Sequence, residues 1–326
     1  MFDVIIIGLG CAAYTAAIYT ARYKLKTLVV GAEDGGMGIT AAEVGNWPGI
    51  IDIKGPELME NFKKHAVSFE EVTQKVGKVV SITKGTEGTK GTKGTEEGFS
   101  LKLQSGEEIH GRTVILATGS NKRHLGVKGE EEFSGRGVTY CATCDAFFYK
   151  GKTVAVIGGG DSAVEGAAIA AQVAKTVYLI HRRNEFRAEP YWVDRVKARD
   201  NVTFVLENQI TEVVGDTKVK GVKLQKPFEG SAELAVDGVF IEVGSTPSVD
   251  LAKQLNAQID ERGFMKVGAD QGTNVPGLFG AGDVTSASNY FAQFTTAAGE
   301  GAVAANSAFN YLSTVGAKEG YMGGGG

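Results

Sequence analysis

The segment Tyr140-Cys141-Ala142-Thr143-Cys144-Asp145 places two cysteines two residues apart with a carboxylate directly after them. Three chemistries fit such a pair: half of a metal site, a structural staple, or a reactive redox pair. A structural zinc site needs four ligands. The remaining cysteine, Cys11, sits inside a glycine-rich turn, and His65, His110, His124 and His181 show no paired spacing. Zinc is therefore disfavoured and no metal is expected. A structural disulfide does not suit a reducing compartment. A redox pair fits better: Asp145 stands where it can exchange a proton with a thiol or thiolate. Cys11 has no partner and reads as a small residue filling space.

Such a pair needs a source of electrons, and two glycine-rich turns supply a candidate. Phe2 to Ile7 is a run apolar but for Asp3, followed by Gly8-Leu9-Gly10-Cys11-Ala12-Ala13, a helical stretch to Arg22 and a strand-like run from Lys26 to Val30. The pattern recurs: Thr153 to Ile157, then Gly158-Gly159-Gly160-Asp161-Ser162-Ala163, a helical stretch to about Ala174 and Thr176 to Ile180. A glycine turn between strand and helix lets backbone amides approach a pyrophosphate, and the helix start adds donors and a favourable dipole. Two such units predict two dinucleotide-binding domains.

The residues just beyond each second strand separate the two. His181-Arg182-Arg183-Asn184-Glu185-Phe186-Arg187 brings guanidinium groups where an NAD site would want a carboxylate. Arg182, Arg183 and Arg187 therefore favour the 2′-phosphate of NADPH. In the first unit Glu33 is open between meeting a ribose hydroxyl and being a plain surface acid. Asp283, directly after Leu278-Phe279-Gly280-Ala281-Gly282, is the better candidate for a ribose or ribitol hydroxyl. One NADPH site beside a second dinucleotide site most simply implies a flavin in the second, with hydride passing from nicotinamide to flavin.

Each unit is expected to continue into a β-rich section: Val76 to Thr83, Phe99 to Gln104 and Thr113 to Ala117 in the first, and Val202 to Leu206, Val219 to Gln225 and Val236 to Val243 in the second. After Pro247 strand and helix character resumes, closing with an alanine-rich helical segment from about Ala292 to Leu312 that returns to complete the first domain. Four Gly-Thr triplets at 85–96 read as a solvated hairpin extension, and Tyr321-Met322 with the last four glycines as a disordered tail.

The bulk properties agree. A chain of 326 residues is long enough for two cores, and 43% hydrophobic with 22% charged residues is an ordinary globular composition. The net charge of −4 argues against a nucleic-acid partner. No apolar run approaches the roughly 20 residues of a membrane span. The apolar start is too short for a signal peptide and lacks a basic flank. A cytoplasmic protein is expected.

Taken together, these motifs resemble the low-molecular-weight thioredoxin reductases of bacterial, archaeal and plant type, in the class II pyridine nucleotide-disulfide oxidoreductases. The resemblance is carried by Cys141-Ala142-Thr143-Cys144-Asp145, Gly158-Gly159-Gly160-Asp161-Ser162-Ala163, His181-Arg182-Arg183 with Phe186-Arg187-Ala188, Gly280-Ala281-Gly282-Asp283-Val284, Asn46-Trp47-Pro48-Gly49 and Ala117-Thr118-Gly119, in the family's order over nearly the whole chain. It implies an α/β fold of two Rossmann-like domains, each a parallel sheet with helices and a β-meander, the second inserted into the first. The FAD domain would comprise 1–121 and 249–326, and the NADPH domain, holding the cysteines, 122–248. Hinges near Ser120–Arg123 and Pro247–Val249 would let the domains swivel, and the protein would be a homodimer.

The resemblance also distributes roles. FAD would be held by Gly8, Gly10, Ala13, Glu33, Gly35 and Gly36, together with Asn46, Thr118, Gly119, Gly282, Asp283 and Gln293. NADPH would be held by Gly158, Gly160, Ser162, Arg182, Arg183 and Arg187. Cys144 would be the flavin-proximal thiol, Cys141 the thiol that attacks the substrate, and Asp145 the acid/base. The implied activity is NADPH-dependent reduction of thioredoxin or a thioredoxin-like protein. Rivals are another small redox acceptor such as a glutaredoxin-like or peroxiredoxin-linked protein, another electron donor, and a flavin redox sensor without turnover. The chain departs from the family pattern at Cys11 (usually proline), Ala13 (usually the third glycine), Met37 (often glutamine) and Ala292 (commonly arginine).

Overall fold

The computed structural model describes residues 1–85 and 98–322; the Gly-Thr triplets beyond Gly85 and the four final glycines lie outside them. In chain order the first segment contains β1 (Phe2–Ile7), α1 (Cys11–Arg22), β2 (Thr27–Gly31), α2 (Gly55–Val67), β3 (Val72–Val76), β4 (Val79–Lys84), β5 (Phe99–Leu103), β6 (Glu108–Leu116) and β7 (Ser120–Lys122). The middle segment opens with β8 (Val138–Thr139), α3 (Ala142–Asp145), β9 (Thr153–Ile157), α4 (Asp161–Ala170), β10 (Thr176–Ile180), α5 (Pro190–Lys197) and β11 (Val202–Val205). β12 (Ile210–Gly215), β13 (Val219–Phe228), β14 (Ser231–Ala235), β15 (Gly238–Ile241) and β16 (Ser245–Pro247) complete it. The last contains α6 (Asp250–Gln254), β17 (Leu278–Gly280) and α7 (Phe294–Met322). The chain divides into two units: Met1–Asn121 with Pro247–Gly326, and Lys122–Thr246 between them. The two crossings are carried by β7 and β16.

In the first unit the sheet runs β3-β2-β1-β6-β5-β4, with β17 also on β6. β1 is parallel to both β2 and β6, so from Val4 to Ile7 it is buried on both faces, which is why that part of its sequence is uniformly apolar. Side chains alternate across the sheet. Val4 and Ile6 face the helices α1 and α7, while Ile5 and Ile7 face Ile82, Leu101 and Val114. Alanine dominates α1 because α7 lies close against it. A Cβ on Gly301 would come within 2.3 Å of the Ala12 carbonyl oxygen.

The second unit repeats this plan. Its parallel sheet runs β11-β10-β9-β15-β8, and β12-β13-β14 form an antiparallel meander. Val154 and Val156 of β9 pack toward α4, whereas Ala155 and Ile157 pack toward Val213 and Val222 of the meander.

Several boundaries differ from the sequence expectation. The run Val76 to Thr83 is two strands: β3, parallel to β2, ends at Gly77, whose N–H donates to the Gly31 carbonyl at 2.8 Å, and β4 turns back. β6 begins at Glu108, because its polar first half pairs antiparallel with β5 while its apolar second half joins the parallel sheet. Val202 to Leu206 and Val236 to Val243 yield β11 and β15, members of the parallel sheet rather than of the meander. α7 continues past Leu312 to Met322, so Tyr321 and Met322 are helical and not a disordered tail. Pro247 and Ser248 belong with the first unit, where the Ser248 N–H donates to the Gly119 carbonyl at 2.9 Å.

Candidate active site

Cys141 and Cys144 are bonded to each other, with their Cα atoms 5.3 Å apart. Cys141 caps the short helix α3, and the Cys144 backbone N–H donates to its sulfur at 3.2 Å. An N–H aimed at sulfur in a helix's first turn favours a thiolate there once the bond is reduced. Cys144 is exposed and Cys141 half-buried. Asp145 ends the same helix. Its carboxylate accepts the Thr139 hydroxyl, and that hydroxyl oxygen accepts the Cys141 N–H at 3.3 Å. One threonine thus ties the carboxylate and the first cysteine together.

The same unit carries the second glycine turn. Gly158 has φ of +146°, and a Cβ there would lie 2.2 Å from the Glu242 carbonyl oxygen, so only glycine fits. Among the described residues, a Cβ on Gly160 would meet nothing within 4 Å, and α4 begins there without a side-chain cap. That open, uncapped helix start suits a diphosphate. Ser162 is exposed in the first turn of α4. The basic segment is drawn to this turn: the Arg187 N–H donates to the Gly159 carbonyl at 2.8 Å, and the His181 ring sits where a Cβ on Gly159 would be. Arg182, Arg183 and Arg187 are all exposed. Burial, and then these three guanidinium groups, hold His181 below its usual range, keeping it neutral.

The first unit's glycine turn has the same construction. Gly8 has φ of +137°, and its Cβ would lie 2.1 Å from the Ala117 carbonyl oxygen. A Cβ on Gly10 would meet nothing within 4 Å among the described residues, and α1 starts there without a side-chain cap. Ala13 is fully buried at the third position. Gly35 donates its N–H to the Leu9 carbonyl at 2.9 Å, and a Cβ on Gly36 would be 3.4 Å from the Gly10 Cα, so this second turn lies over the first. Gly282 also approaches: its Cβ would be 3.1 Å from that of Ala12. Asn46 donates to the Gln293 side chain at 3.0 Å, joining two residues far apart in sequence. Thr118 donates to the Ser248 carbonyl at 2.8 Å, and Gly119 comes next at φ of +61°. Met37 and Ala292 present no polar side chain to this region.

Glu33 is exposed, and its neighbour Asp34 is the more engaged acid. Asp34 accepts Tyr14 and pairs with Lys63, while Gln74 donates to the Tyr14 hydroxyl at 3.0 Å. Burial pushes the Asp34 carboxyl up, but the hydrogen bonds from Lys63 and Tyr14 more than offset this and hold it low. Asp283 is the opposite case. Burial and the nearby Glu300 charge push its carboxyl above the usual range, against a hydrogen bond with Ser120. Glu300 accepts the Gly282 N–H at 2.7 Å and the Thr285 hydroxyl at 3.1 Å. Cys11 is buried, donates to the Phe294 carbonyl at 3.3 Å, and its thiol is pushed up to about 12, chiefly by burial.

Sequence reasoning passed over Thr139, Glu300, Lys122 and Glu242. Glu242 accepts the Ala142 N–H at 3.1 Å and the Lys122 ammonium at 3.0 Å. A lone acid inside the apolar run Val239–Val243 is the feature that marks it. Among the described residues, no cluster of three or more potential metal ligands forms and no helix is long and apolar enough to cross a membrane.

Known proteins are similar to this chain over nearly its whole length. The pyridine nucleotide-disulphide oxidoreductase family matches residues 2–301. A thioredoxin reductase of Mycolicibacterium smegmatis is 41% identical over 317 residues, covering 95% of this chain and 96% of that protein. A glucosaminate ammonia-lyase of Pseudomonas fluorescens is 40% identical over 318 residues, covering 95% of each. The solved thioredoxin reductase of Lactococcus lactis superposes with a TM-score of 0.87 at 35% identity, covering 96% of this chain and all of that one.

Proposed function

Because this chain belongs to the pyridine nucleotide-disulphide oxidoreductase family, we propose that it is an NADPH-dependent thioredoxin-disulfide reductase. The observation that carries the reading is the bonded Cys141–Cys144 pair, held with Asp145 on α3 in the unit that also holds the glycine turn and the three arginines. The first unit is assigned to FAD and the inserted unit to NADPH. The fit rests on the open, uncapped helix starts at Gly10 and Gly160. When bound, these two groups supply the hydride transfer that reduces the disulfide.

The chain's own residues carry out the exchange. Cys141, as a thiolate aided by the Cys144 N–H, attacks one sulfur of the substrate disulfide. A mixed disulfide forms and the other substrate sulfur leaves as a thiolate; Asp145 takes the proton of the Cys144 thiol and passes it to that thiolate. The Cys144 thiolate attacks the Cys141 sulfur, releasing the second substrate thiolate and restoring the Cys141–Cys144 bond. Arg182, Arg183 and Arg187 select a 2′-phosphate. Asp283, Asn46 and Gln293 would hold the FAD.

The similarity to an ammonia-lyase does not favour that activity here. Eliminating ammonia sends no electrons out of a protein, whereas a bonded cysteine pair beside a carboxylate is suited to do so. Support for a homodimer comes from the surface of α1 and α7, where Tyr19 and Val303 are exposed and Tyr23 stacks on Phe309 at 4.6 Å. The reducing cytoplasm is the compartment in which such a pair would cycle.

The test is the absorption spectrum of the purified protein before and after NADPH, with a thioredoxin present. A flavin spectrum that bleaches with NADPH and returns as the acceptor is reduced is expected. A protein that stays colourless with added FAD overturns the reading, and reduction of a glutaredoxin-like acceptor alone would change the substrate. Cys144→Ser should keep an NADPH-reducible flavin and lose disulfide turnover by at least about a thousandfold.

A further inference from the structure

Among the charged groups that thiol exchange leaves unused, the Glu242 carboxylate is deeply held, with 5% of its side chain exposed. Three parts of the inserted unit meet on this residue. Its backbone N–H donates to the Ile157 carbonyl at 2.9 Å, and its own carbonyl closes on Gly158, so its main chain forms the floor of the glycine turn. One carboxylate oxygen accepts the Ala142 N–H at 3.1 Å, one residue after Cys141. The other accepts the ammonium of Lys122, the last residue of β7, at 3.0 Å.

The first turn of α3 therefore divides its donors. The Cys144 N–H serves the Cys141 sulfur, and the Ala142 N–H serves Glu242. A carboxylate at a helix start draws on the same positive field that a Cys141 thiolate uses. An unpaired buried carboxylate there would oppose the thiolate, and Lys122 offsets it. Burial pushes the Glu242 carboxyl up while Lys122 pulls it back. The charged and titratable groups bonded to this segment include Asp145 on its own helix, Glu242 just past β15, Lys122 of β7 through Glu242, and Glu130 and His124 on the Tyr140 hydroxyl.

We propose that Glu242 and Lys122 are positioning residues for the redox helix: together they anchor α3 through Ala142, and in opposite directions they set how readily Cys141 becomes a thiolate. This rests on the reading of Cys141 as the attacking thiol. Glu242→Gln keeps an acceptor for the Ala142 N–H and removes the charge. Lys122→Met keeps most of the side chain's unbranched apolar stem and removes the counter-charge.

The experiment uses the full-length protein, reduced with dithiothreitol and freed of it, and follows alkylation of Cys141 by iodoacetamide across pH, with the Cys141 peptide quantified by mass spectrometry. Glu242→Gln should alkylate about fivefold faster than wild type at pH 7, with its midpoint moved down. Lys122→Met should alkylate about fivefold slower with its midpoint moved up, and the double variant should return to within about twofold of wild type. Two single variants that shift in the same direction, or neither by more than about twofold, overturn the proposal. Should Lys122→Met fail to fold by circular dichroism, Glu242→Gln and Lys122→Arg decide it: an unchanged Glu242→Gln, or a slowed Lys122→Arg, overturns it. The alkylation requires neither NADPH nor an acceptor. A wild-type protein that does not reduce thioredoxin would sink the proposed function, not this inference.

Discussion

The two glycine turns are near copies up to the second strand and diverge after it. In each, one left-handed glycine lies against a carbonyl, of Ala117 or of Glu242, and the next borders open space at an uncapped helix. Beyond β2 come the acids Glu33 and Asp34, with Asp34 tied into a network with Tyr14 and Lys63; beyond β10 come three exposed guanidinium groups. The shared half answers a diphosphate, which every dinucleotide carries. The divergent half answers what distinguishes one nucleotide from another.

The comparison breaks most sharply at the glycines. Alanine at Gly8 or Gly158 must adopt a left-handed backbone and push a carbonyl more than an ångström, a strain on the order of 3 kcal/mol. Gly8→Ala should lose flavin, with occupancy of the purified protein down by at least about tenfold from its absorbance. Gly158→Ala should stay yellow while its rate of bleaching by NADPH falls about a hundredfold. Loss of the same cofactor in both would end the assignment of the two units.

A smaller effect is expected beyond the second strands. The triple variant Arg182→Ala, Arg183→Ala, Arg187→Ala should raise the KM for NADPH by roughly 30-fold and leave that for NADH within about twofold, read from steady-state rates. An equal rise for both would mean that the arginines only shape the surface.

The smallest effect sharpens the contrast between the acids. The folded-state carboxyl of Asp283 lies above its unfolded value near 3.9, so its ionisation is disfavoured in the fold. Its penalty is absent at low pH and grows as pH rises through the unfolded and then the folded pKa. Asp283→Asn should therefore raise the melting temperature of the flavin-free protein by about 2 °C at pH 7, and not at pH 3, while weakening flavin about fivefold. Asp34 runs the other way: its lowered pKa adds stability that is lost as pH falls through the folded value.

Periodic and punctuated elements were the legible ones. β9 and β10 have the bounds that the sequence suggests, because a central parallel strand, largely buried on both faces, reads as a nearly continuous apolar run after its first threonine. β3 (Val-Thr-Gln-Lys-Val) escaped because an edge strand, half exposed, need not be apolar. β12 and β14 of the meander escaped for a similar reason, as each exposes one face. Within the site, Cys141, Cys144 and the glycines carry their chemistry in their own residue type and spacing. Glu242, Thr139 and Glu300 do not, since each matters through hydrogen bonds to backbone and side-chain groups that tertiary packing brings to it.

The strands β7 and β16, which carry the chain out of the first unit and back into it, have a consequence for how the chain can be divided. Where the chain leaves and re-enters, Arg123 N–H meets the Gly244 carbonyl at 3.0 Å on one side, and Ser248 N–H meets the Gly119 carbonyl at 2.9 Å on the other. Each unit is thus already stitched shut at its own cut. A coding segment for 122–246 can be excised as a polypeptide whose two termini are neighbours, and a short bridge from 121 to 247 would leave the remainder as a continuous chain. An insertion with touching ends is the kind of module that recombination can move without unravelling its host.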